Sequence, residues 1–422
     1  MNSDRDKNRK TGNRRPELLV PAGSPETLRV AIDYGADAVY LGGEVMSLRA
    51  KAKNFGYEEM ESGIALAHEN GVKVYVTANI YAHNSDLKAA EVYFDRMAQI
   101  RPDALLISDP GMFRLAKKHC PEVEIHISTQ ANNTNYETCR YWYEQGVKRI
   151  VLARELSLAE IREIRANIPE DLEIECFVHG AMCISYSGRC LLSNYFTGRD
   201  ANHGACTHPC RWKYALVEET RPGEYLPIEE DDRGSYIMNS RDLCMVGYIP
   251  ELAEAGIDSF KIEGRMKNAL YVATVARTYR KAIDAYLESA EAYEKILPWL
   301  KEQIAQCTYR KYSTGFYFGR PDADGQIYDE STYVSESIYL GTVRTVAEDG
   351  RIVITQKNKF SVGDGIEIMG TDGTDRQTQV LAMYDAEGNA IESCPHAGME
   401  VHLKLSECAK AGEVLRMAAK EE

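Results

Sequence analysis

The sequence lacks a long hydrophobic run, since none of its apolar stretches approaches the roughly 18 residues that a membrane-spanning helix needs. Its first residues also lack the apolar stretch of a secretory signal. We therefore expect a cytoplasmic protein with no membrane partner. Thiols stay reduced in that compartment, so those of the 11 cysteines that cluster are expected to bind metal or to react, and not to form a disulfide framework.

The common local motifs of hydrolases are missing as well. The sequence contains no His-Glu-x-x-His, Gly-x-Ser-x-Gly or Gly-x-x-x-x-Gly-Lys pattern. No local motif therefore indicates the hydrolase reactions that depend on these patterns. An excess of positive charge is also absent, because the formal net charge is -14. This value argues against a generally basic nucleic-acid-binding surface, although a local basic patch is compatible with it.

A regular alternation of strands and helices is what the sequence does contain. Eight apolar runs show little polar alternation, as strands buried on both faces do: ELLVPAG, AVYLGG, KVYVTAN, ALLISDP, EIHISTQ, RIVLAREL, EIECFVHG and SFKIEGR. Segments of helix length separate these runs, so the pattern predicts an α/β fold, a (β/α)8 TIM-like barrel. A doubly wound open sheet is the alternative, but no Gly-x-Gly-x-x-Gly opens the first helix.

Four parts follow from this pattern. Residues 1–16 are predicted to be a basic disordered tail, with an arm that contacts nucleic-acid phosphate as the alternative. Residues 17–290 are predicted to form the barrel, with an insert at about 180–245 after strand seven and a helix, DLCMVGYIPELAEAG, leading to strand eight. Residues 291–320 are expected to be a helical connection. Residues 321–422, with about seven short strands between turns, predict a small C-terminal β-barrel.

Polar residues follow the carboxyl ends of the predicted strands, where TIM barrels keep their active sites. The candidate catalytic residues are His179, Glu263 and Lys261. The candidate substrate-binding residues are Arg154, Arg189, Arg265, Asn79, Gln130 and Asn132. Because guanidinium groups bind carboxylate or phosphate through two parallel hydrogen bonds, we expect a small anionic substrate. The alternative is that these residues form ordinary salt bridges at the barrel mouth.

Four cysteines cluster in the insert with the spacing Cys183-x6-Cys190-x15-Cys206-x3-Cys210. Zinc ribbons prefer Cys-x2-Cys pairs, so this wider spacing favours a four-iron cluster. A zinc site, one nucleophilic cysteine with bystanders, and four unrelated core cysteines remain alternatives. Cys244 is a reserve ligand in the predicted helix. The other cysteines are expected to be structural: Cys120, Cys139, Cys176, Cys307, Cys394 and Cys408.

Several segments, taken together, resemble the collagenase-like family of peptidases of unassigned mechanism, over nearly the full chain from Glu17. They are ELLVPAGSPETLRVAIDYGADAVYLGG, ECFVHGAMCISYSGRCLLSNY, CTHPCRW, YIMNSRDL and KIEGRMK. The chain is similar to the RNA-modifying members of this family. Some ubiquinone-pathway members place a cysteine near the position of Met238 and lack a counterpart of Cys210, which this chain has.

The resemblance implies a 4Fe-4S cluster on Cys183, Cys190, Cys206 and Cys210. It also implies 5-hydroxylation of the wobble uridine in the anticodon region of tRNA, with prephenate as a required metabolite and a paralogous family member as a further candidate partner. Two alternatives from other classes stay open. One is a peptidase that acts on collagen-like or other peptides, and the other is a non-catalytic protein that docks RNA or protein through its C-terminal barrel.

Overall fold

The computed structural model describes residues 15–47, 54–182, 190–199, 201, 206–207, 209, 215–216, 226–227, 239–319, 326–327 and 336–419. The strands up to the C-terminal domain are β1 (Glu17–Pro21), β2 (Ala38–Gly42), β3 (Lys73–Ala78), β4 (Ala104–Ile107), β5 (Glu124–Ile127), β6 (Arg149–Val151), β7 (Glu173–Gly180), β8 (Ala215–Leu216), β9 (Leu226–Pro227), β10 (Asn239–Ser240), β11 (Asp242–Cys244), β12 (Ser259–Ile262), β13 (Tyr312–Ser313) and β14 (Gln326–Ile327). The helices are α1 (Pro25–Asp33), α2 (Tyr57–Glu69), α3 (Leu87–Ile100), α4 (Pro110–His119), α5 (Tyr136–Glu144), α6 (Leu158–Ala166), α7 (Leu192–Thr197), α8 (Ile249–Glu254), α9 (Ala269–Glu288) and α10 (Ala290–Ile304).

Eight parallel strands close into a barrel, which confirms the predicted TIM-like fold. β1 to β7 pair in chain order, and β12 pairs with both β7 and β1. The strand residues are almost entirely buried, because the helices cover the outside and side chains fill the inside. Capping residues fix where several helices start; for example, Asp109 Oδ1 accepts a hydrogen bond of 2.9 Å from the Met112 backbone at the start of α4.

The predicted helix after the insert is wrong over its first part. Residues Asp242–Cys244 form β11, which pairs antiparallel with the end of β7, and the helix α8 spans only Ile249–Glu254. Leu243 lies opposite Gly180, and Cys244 lies opposite His179. The pairing of β7 with β6 ends at Glu175, so along the rest of that edge β11 supplies hydrogen-bond partners for backbone that would otherwise lack them.

A second, smaller barrel follows and confirms the predicted C-terminal domain. Its strands are β15 (Ser337–Val346), β16 (Ile352–Thr355), β17 (Gly365–Met369), β18 (Asp375–Tyr384), β19 (Glu400–Leu405) and β20 (Val414–Ala418). They close in the order β15-β16-β19-β18-β17-β20, so residues 336–419 contain six strands where about seven were expected. Arg277 of α9 joins the two barrels, since its Nη1 donates to Asp375 Oδ1 at 2.5 Å and its Nη2 donates to Gln303.

The cysteines expected to be structural are buried, with one exception. Cys120, Cys139, Cys176, Cys307 and Cys394 are buried, whereas Cys408 lies after β19 and is exposed. Cys183, Cys210 and Arg189, and the tail up to residue 14, lie outside the described residues. Among the helices of the described ranges, none is both long and apolar enough to cross a membrane.

Candidate active site

A small cavity lies at the carboxyl ends of the barrel strands. Its volume of about 60 Å³ accommodates a few water molecules or a small polar group. The residues that line it are Tyr40, Thr77, Asn79, Leu106, Ser128, Thr129, Gln130, Phe177, Lys261, Glu263 and Arg265. The structure therefore brings together five residues that the sequence singled out: Asn79, Gln130, Lys261, Glu263 and Arg265.

Arg265 is held at the cavity by hydroxyl groups. Its Nη1 donates to Ser47 Oγ at 2.7 Å and to Thr77 Oγ1 at 2.6 Å, and the two hydroxyl oxygens lie 2.7 Å apart. Gly42 ends β2 directly beside this guanidinium, and a Cβ at that position would overlap Arg265 Nη1. A glycine is therefore required for the close approach of the strand to the arginine. Both hydroxyl partners are uncharged, and they fix the orientation of the guanidinium.

Two amide side chains form one wall of the cavity. Asn79 Nδ2 donates to Gln130 Oε1 at 3.0 Å, and the Ser128 hydroxyl also donates to this oxygen. The Tyr81 hydroxyl donates to the backbone oxygen of Gln130. These contacts fix both amides, so the wall presents oriented dipoles to any molecule in the cavity.

Lys261 lies at the floor of the cavity and is only 3% exposed. Its Nζ donates to Glu175 Oε1 at 2.6 Å and lies 4.5 Å from the centre of the Tyr40 ring and 5.3 Å from that of Phe177. Burial lowers the pKa of the Lys261 ammonium, although the neighbouring Glu175 carboxylate opposes this effect. The cavity thus has a cation at its floor whose proton is less firmly held than that of an exposed lysine.

A buried ion network lies beneath this lysine. Arg149 Nη1 contacts Glu17 Oε1 at 2.5 Å and Glu175 Oε2 at 3.3 Å, and its Nη2 contacts Glu173 Oε2 at 2.6 Å. Tyr75 donates a further hydrogen bond of 2.8 Å to Glu17. Burial alone would raise the pKa of Glu17, but the Arg149 charge and these hydrogen bonds lower it to about 2. The carboxylates beneath the cavity are therefore held in place by one arginine.

His179 is not brought to the cavity. Along β7, the register with β12 shifts between the pairs Phe177 with Lys261 and His179 with Ile262, so that one extra residue bulges out. A bulge of this kind reverses the alternation of side chains, which turns His179 to the outside of the barrel. There its ring packs among Tyr271, Tyr279 and Tyr312. Burial, with a smaller contribution from the Lys267 charge, lowers the pKa of His179 to about 3.

The remaining substrate-binding candidates lie at the edge of the site or elsewhere. Arg154 donates from Nη1 to the backbone oxygen of Ala181 at 2.7 Å, and its guanidinium carbon lies 4.9 Å from the centre of the Phe177 ring. It therefore packs near a residue of the cavity wall and is not itself a lining residue. Asn132 follows a short 3-10 turn with φ of 55° and is also outside the lining set.

Two of the four clustered cysteines fall within the described residues. Cys190 and Cys206 are both half-buried. The chain segments that carry them are joined, because the backbone N–H of Thr207 donates to Ser193 Oγ at 3.0 Å, and the two side-chain oxygens also lie 3.0 Å apart. In the described ranges no group of three or more potential metal ligands occurs. The predicted set of four includes Cys183 and Cys210, which lie outside those ranges.

Several residues of the site were missed by the sequence analysis. Tyr40, Thr77 and Phe177 line the cavity, and Ser47 and Glu175 support its cations. The alternation of side chains along a strand could have identified two of them, because residues two positions apart lie on the same face. It places Glu175 and Phe177 on one face of β7, and Lys261 of β12 pairs with Phe177 on that face. The bulge after Phe177 carries no comparable signal in the sequence.

A closed parallel barrel with a charged cavity at the carboxyl ends of its strands defines a TIM-barrel protein with its candidate site on the face that barrel enzymes use. More specifically, the chain belongs to peptidase family U32. It matches this family over residues 23–327 and the family's C-terminal domain over residues 335–416.

Three relatives illustrate what the chain is similar to. It is 39% identical to tRNA hydroxylation protein P1 of Bacillus subtilis over 404 residues, which cover 96% of this chain and 95% of the relative. It is also 39% identical to tRNA hydroxylation protein P of Escherichia coli, with 96% of each chain covered. The 23S rRNA 5-hydroxycytidine C2501 synthase of Escherichia coli is 32% identical, and the match covers 84% of this chain and 52% of that protein.

Proposed function

We propose that this protein hydroxylates RNA, and specifically that it forms 5-hydroxyuridine at the wobble position of tRNA. The observation that carries the proposal is the polar, cationic cavity at the barrel mouth of a chain that is 39% identical, over nearly its full length, to two proteins named for tRNA hydroxylation. A wobble uridine suits such a cavity, because bases in an anticodon loop are partly unstacked and cost little free energy to extrude.

An iron–sulfur cluster belongs to this proposal, with Cys183, Cys190, Cys206 and Cys210 as its ligands. The described residues fit that group in two respects. Cys190 and Cys206 supply the thiol donors that such clusters require, and the Ser193 to Thr207 hydrogen bond joins the segments in which they lie. A bound cluster would supply electron transfer. The residues of the barrel mouth would bind and orient the substrates.

Prephenate is the metabolite that we propose for the cavity. It is a dicarboxylate, and Arg265 presents a guanidinium held by the uncharged Ser47 and Thr77 hydroxyls, which suits a carboxylate. Lys261 adds a second positive charge to the lining, whereas Glu263 adds a negative one. The carboxylate is therefore expected on the side of the cavity where Arg265 lies.

Replacing Arg265 by Lys should weaken prephenate binding by about tenfold or more, because lysine keeps the charge but loses the planar two-pronged donor. Isothermal titration of the purified protein measures the change. Arg154→Lys is the matched control, since Arg154 lies outside the cavity lining, and its effect should be smaller. Unchanged affinity in Arg265→Lys would mean that this arginine serves the structure of the mouth and not the ligand.

Nucleoside analysis tests the function itself. Cells that lack the gene should lose 5-hydroxyuridine, and the nucleosides built from it, when digested tRNA is examined by mass spectrometry. The rival peptidase function is assayed in parallel with gelatin as substrate. Unchanged tRNA nucleosides, together with metal-independent gelatin cleavage by the purified protein, would overturn the proposal. Because a paralogue can mask a deletion, strains that lack every family member are compared as well.

A further inference from the structure

The lysine at the floor of the cavity is placed for covalent chemistry. Lys261 lines the cavity, and its Nζ lies 2.6 Å from a carboxylate oxygen of Glu175, which is fully buried beneath it. We propose that Lys261 forms a protonated imine with the carbonyl carbon of a small 2-oxo carboxylic acid whose carboxylate is bound by Arg265.

Glu175 is positioned to move the proton that this step requires. An ammonium group must lose a proton before its nitrogen attacks a carbonyl carbon, and Glu175 Oε1 is in hydrogen-bond contact with that nitrogen. Burial lowers the pKa of Lys261, which increases the fraction of the neutral amine. The rings of Tyr40 and Phe177 lie near the nitrogen and stabilise a positive charge there, as both the ammonium and the protonated imine carry one.

The step balances without an oxidant or a reductant. Glu175 takes one proton from the ammonium, and Nζ forms a bond to the carbonyl carbon. The carbonyl oxygen receives that proton and a second one from nitrogen and leaves as water. The net change converts an ammonium ion and a ketone into a protonated imine and water, and Glu175 is again a carboxylate at the end.

The other lining residues define the class of ligand. Arg265 supplies a site for one carboxylate, and the oriented amides of Asn79 and Gln130 suit further oxygen atoms. The cavity volume of about 60 Å³ is enough for the 2-oxo acid end of a molecule. Prephenate contains a 2-oxo acid group. The identification of prephenate as the ligand of Lys261 rests on the proposed function. The imine itself requires neither RNA nor iron.

Reductive trapping tests this inference. The purified full-length protein is incubated with pyruvate and sodium cyanoborohydride, which converts an imine into a stable amine, and then is analysed by intact mass and peptide mapping. We expect one reduced pyruvyl group per chain, on Lys261, with labelling more than about tenfold above that of Lys267, whose Nζ lies 5.0 Å from the centre of the Tyr271 ring and which does not line the cavity. Lys261→Arg should abolish this label, and Lys267→Arg should retain it.

Two results would overturn the inference: absence of a reduced adduct on Lys261 in the wild-type protein, or a label spread evenly over lysines. Mapping of the wild-type protein decides the matter even where Lys261→Arg does not fold. The outcome is separate from that of the hydroxylation proposal. If no adduct forms but 5-hydroxyuridine is lost in the deletion strain, the imine proposal is ruled out and the hydroxylation proposal stands. If an adduct forms but the tRNA nucleosides are unchanged, the hydroxylation proposal is ruled out and the imine proposal stands.

Discussion

Replacing Arg149 by Met is expected to lower the free energy of unfolding by about 3–5 kcal/mol, because removal of one partner leaves buried carboxylates without compensation. Arg149 is 3% exposed and contacts Glu17, Glu173 and Glu175. Of these, Glu17 and Glu175 are also buried within the barrel. Methionine has a similar volume but cannot donate a hydrogen bond, so Glu17 loses its ion-pair partner and Glu175 keeps only Lys261. Chemical denaturation followed by circular dichroism measures the change.

Arg140→Met is the matched control for this prediction. Arg140 also contacts a glutamate, Glu137, at 2.7 Å, but both side chains are largely exposed. Its loss should cost less than about 1 kcal/mol, because water solvates both groups in the variant. Adding Glu17→Gln to Arg149→Met should recover part of the loss, since it removes one uncompensated charge. A cost below about 1 kcal/mol for Arg149→Met would mean that the barrel interior hydrates these carboxylates.

Replacing Cys206 by Ala is expected to reduce the iron and acid-labile sulfide of anaerobically purified protein by about tenfold or more, because a cluster needs all of its thiolate ligands. Iron analysis and the visible absorbance of the protein measure the loss. Cys120→Ala is the matched control, since Cys120 is buried against α4 and donates to the backbone oxygen of Ala116 at 3.3 Å. Full iron content in Cys206→Ala would remove this residue from the ligand set, and equal loss in both variants would indicate general unfolding.

The barrel could be predicted from the sequence because its signal is local. Each of the eight strands is a short apolar run next to a turn, and the order of pairing follows the order of the chain. The cavity residues were partly predictable for the same reason, since Lys261, Glu263 and Arg265 alternate at the end of one strand and line one cavity. The short strand β11 was predicted as helix because the spacing of its apolar residues fits the helical period of 3.6 residues as well as the strand period of two.

The parts that could not be predicted depend on contacts between distant residues. Glu17 and Arg149 are 132 positions apart, and Lys261 and Glu175 are 86 positions apart, so no spacing along the chain indicates either pair. The position of His179 depends on a single extra residue in the pairing of β7 with β12. A shift of that kind moves a side chain from the inside of a barrel to the outside. The proton-transfer candidate near the cavity is therefore Lys261 with Glu175, and His179 lies behind the strand.

Complementation of a deletion strain is the most direct test of the central claim, that this barrel carries out 5-hydroxylation of tRNA uridine with its cysteine insert. The wild-type gene, Cys190→Ala and the control Cys120→Ala are expressed in cells that lack the gene and its paralogues, and 5-hydroxyuridine in digested tRNA is quantified by mass spectrometry. The account predicts that the wild type and Cys120→Ala restore the nucleoside and that stably expressed Cys190→Ala does not. Restoration by Cys190→Ala to the wild-type level, or no nucleoside with the wild-type gene, would contradict it.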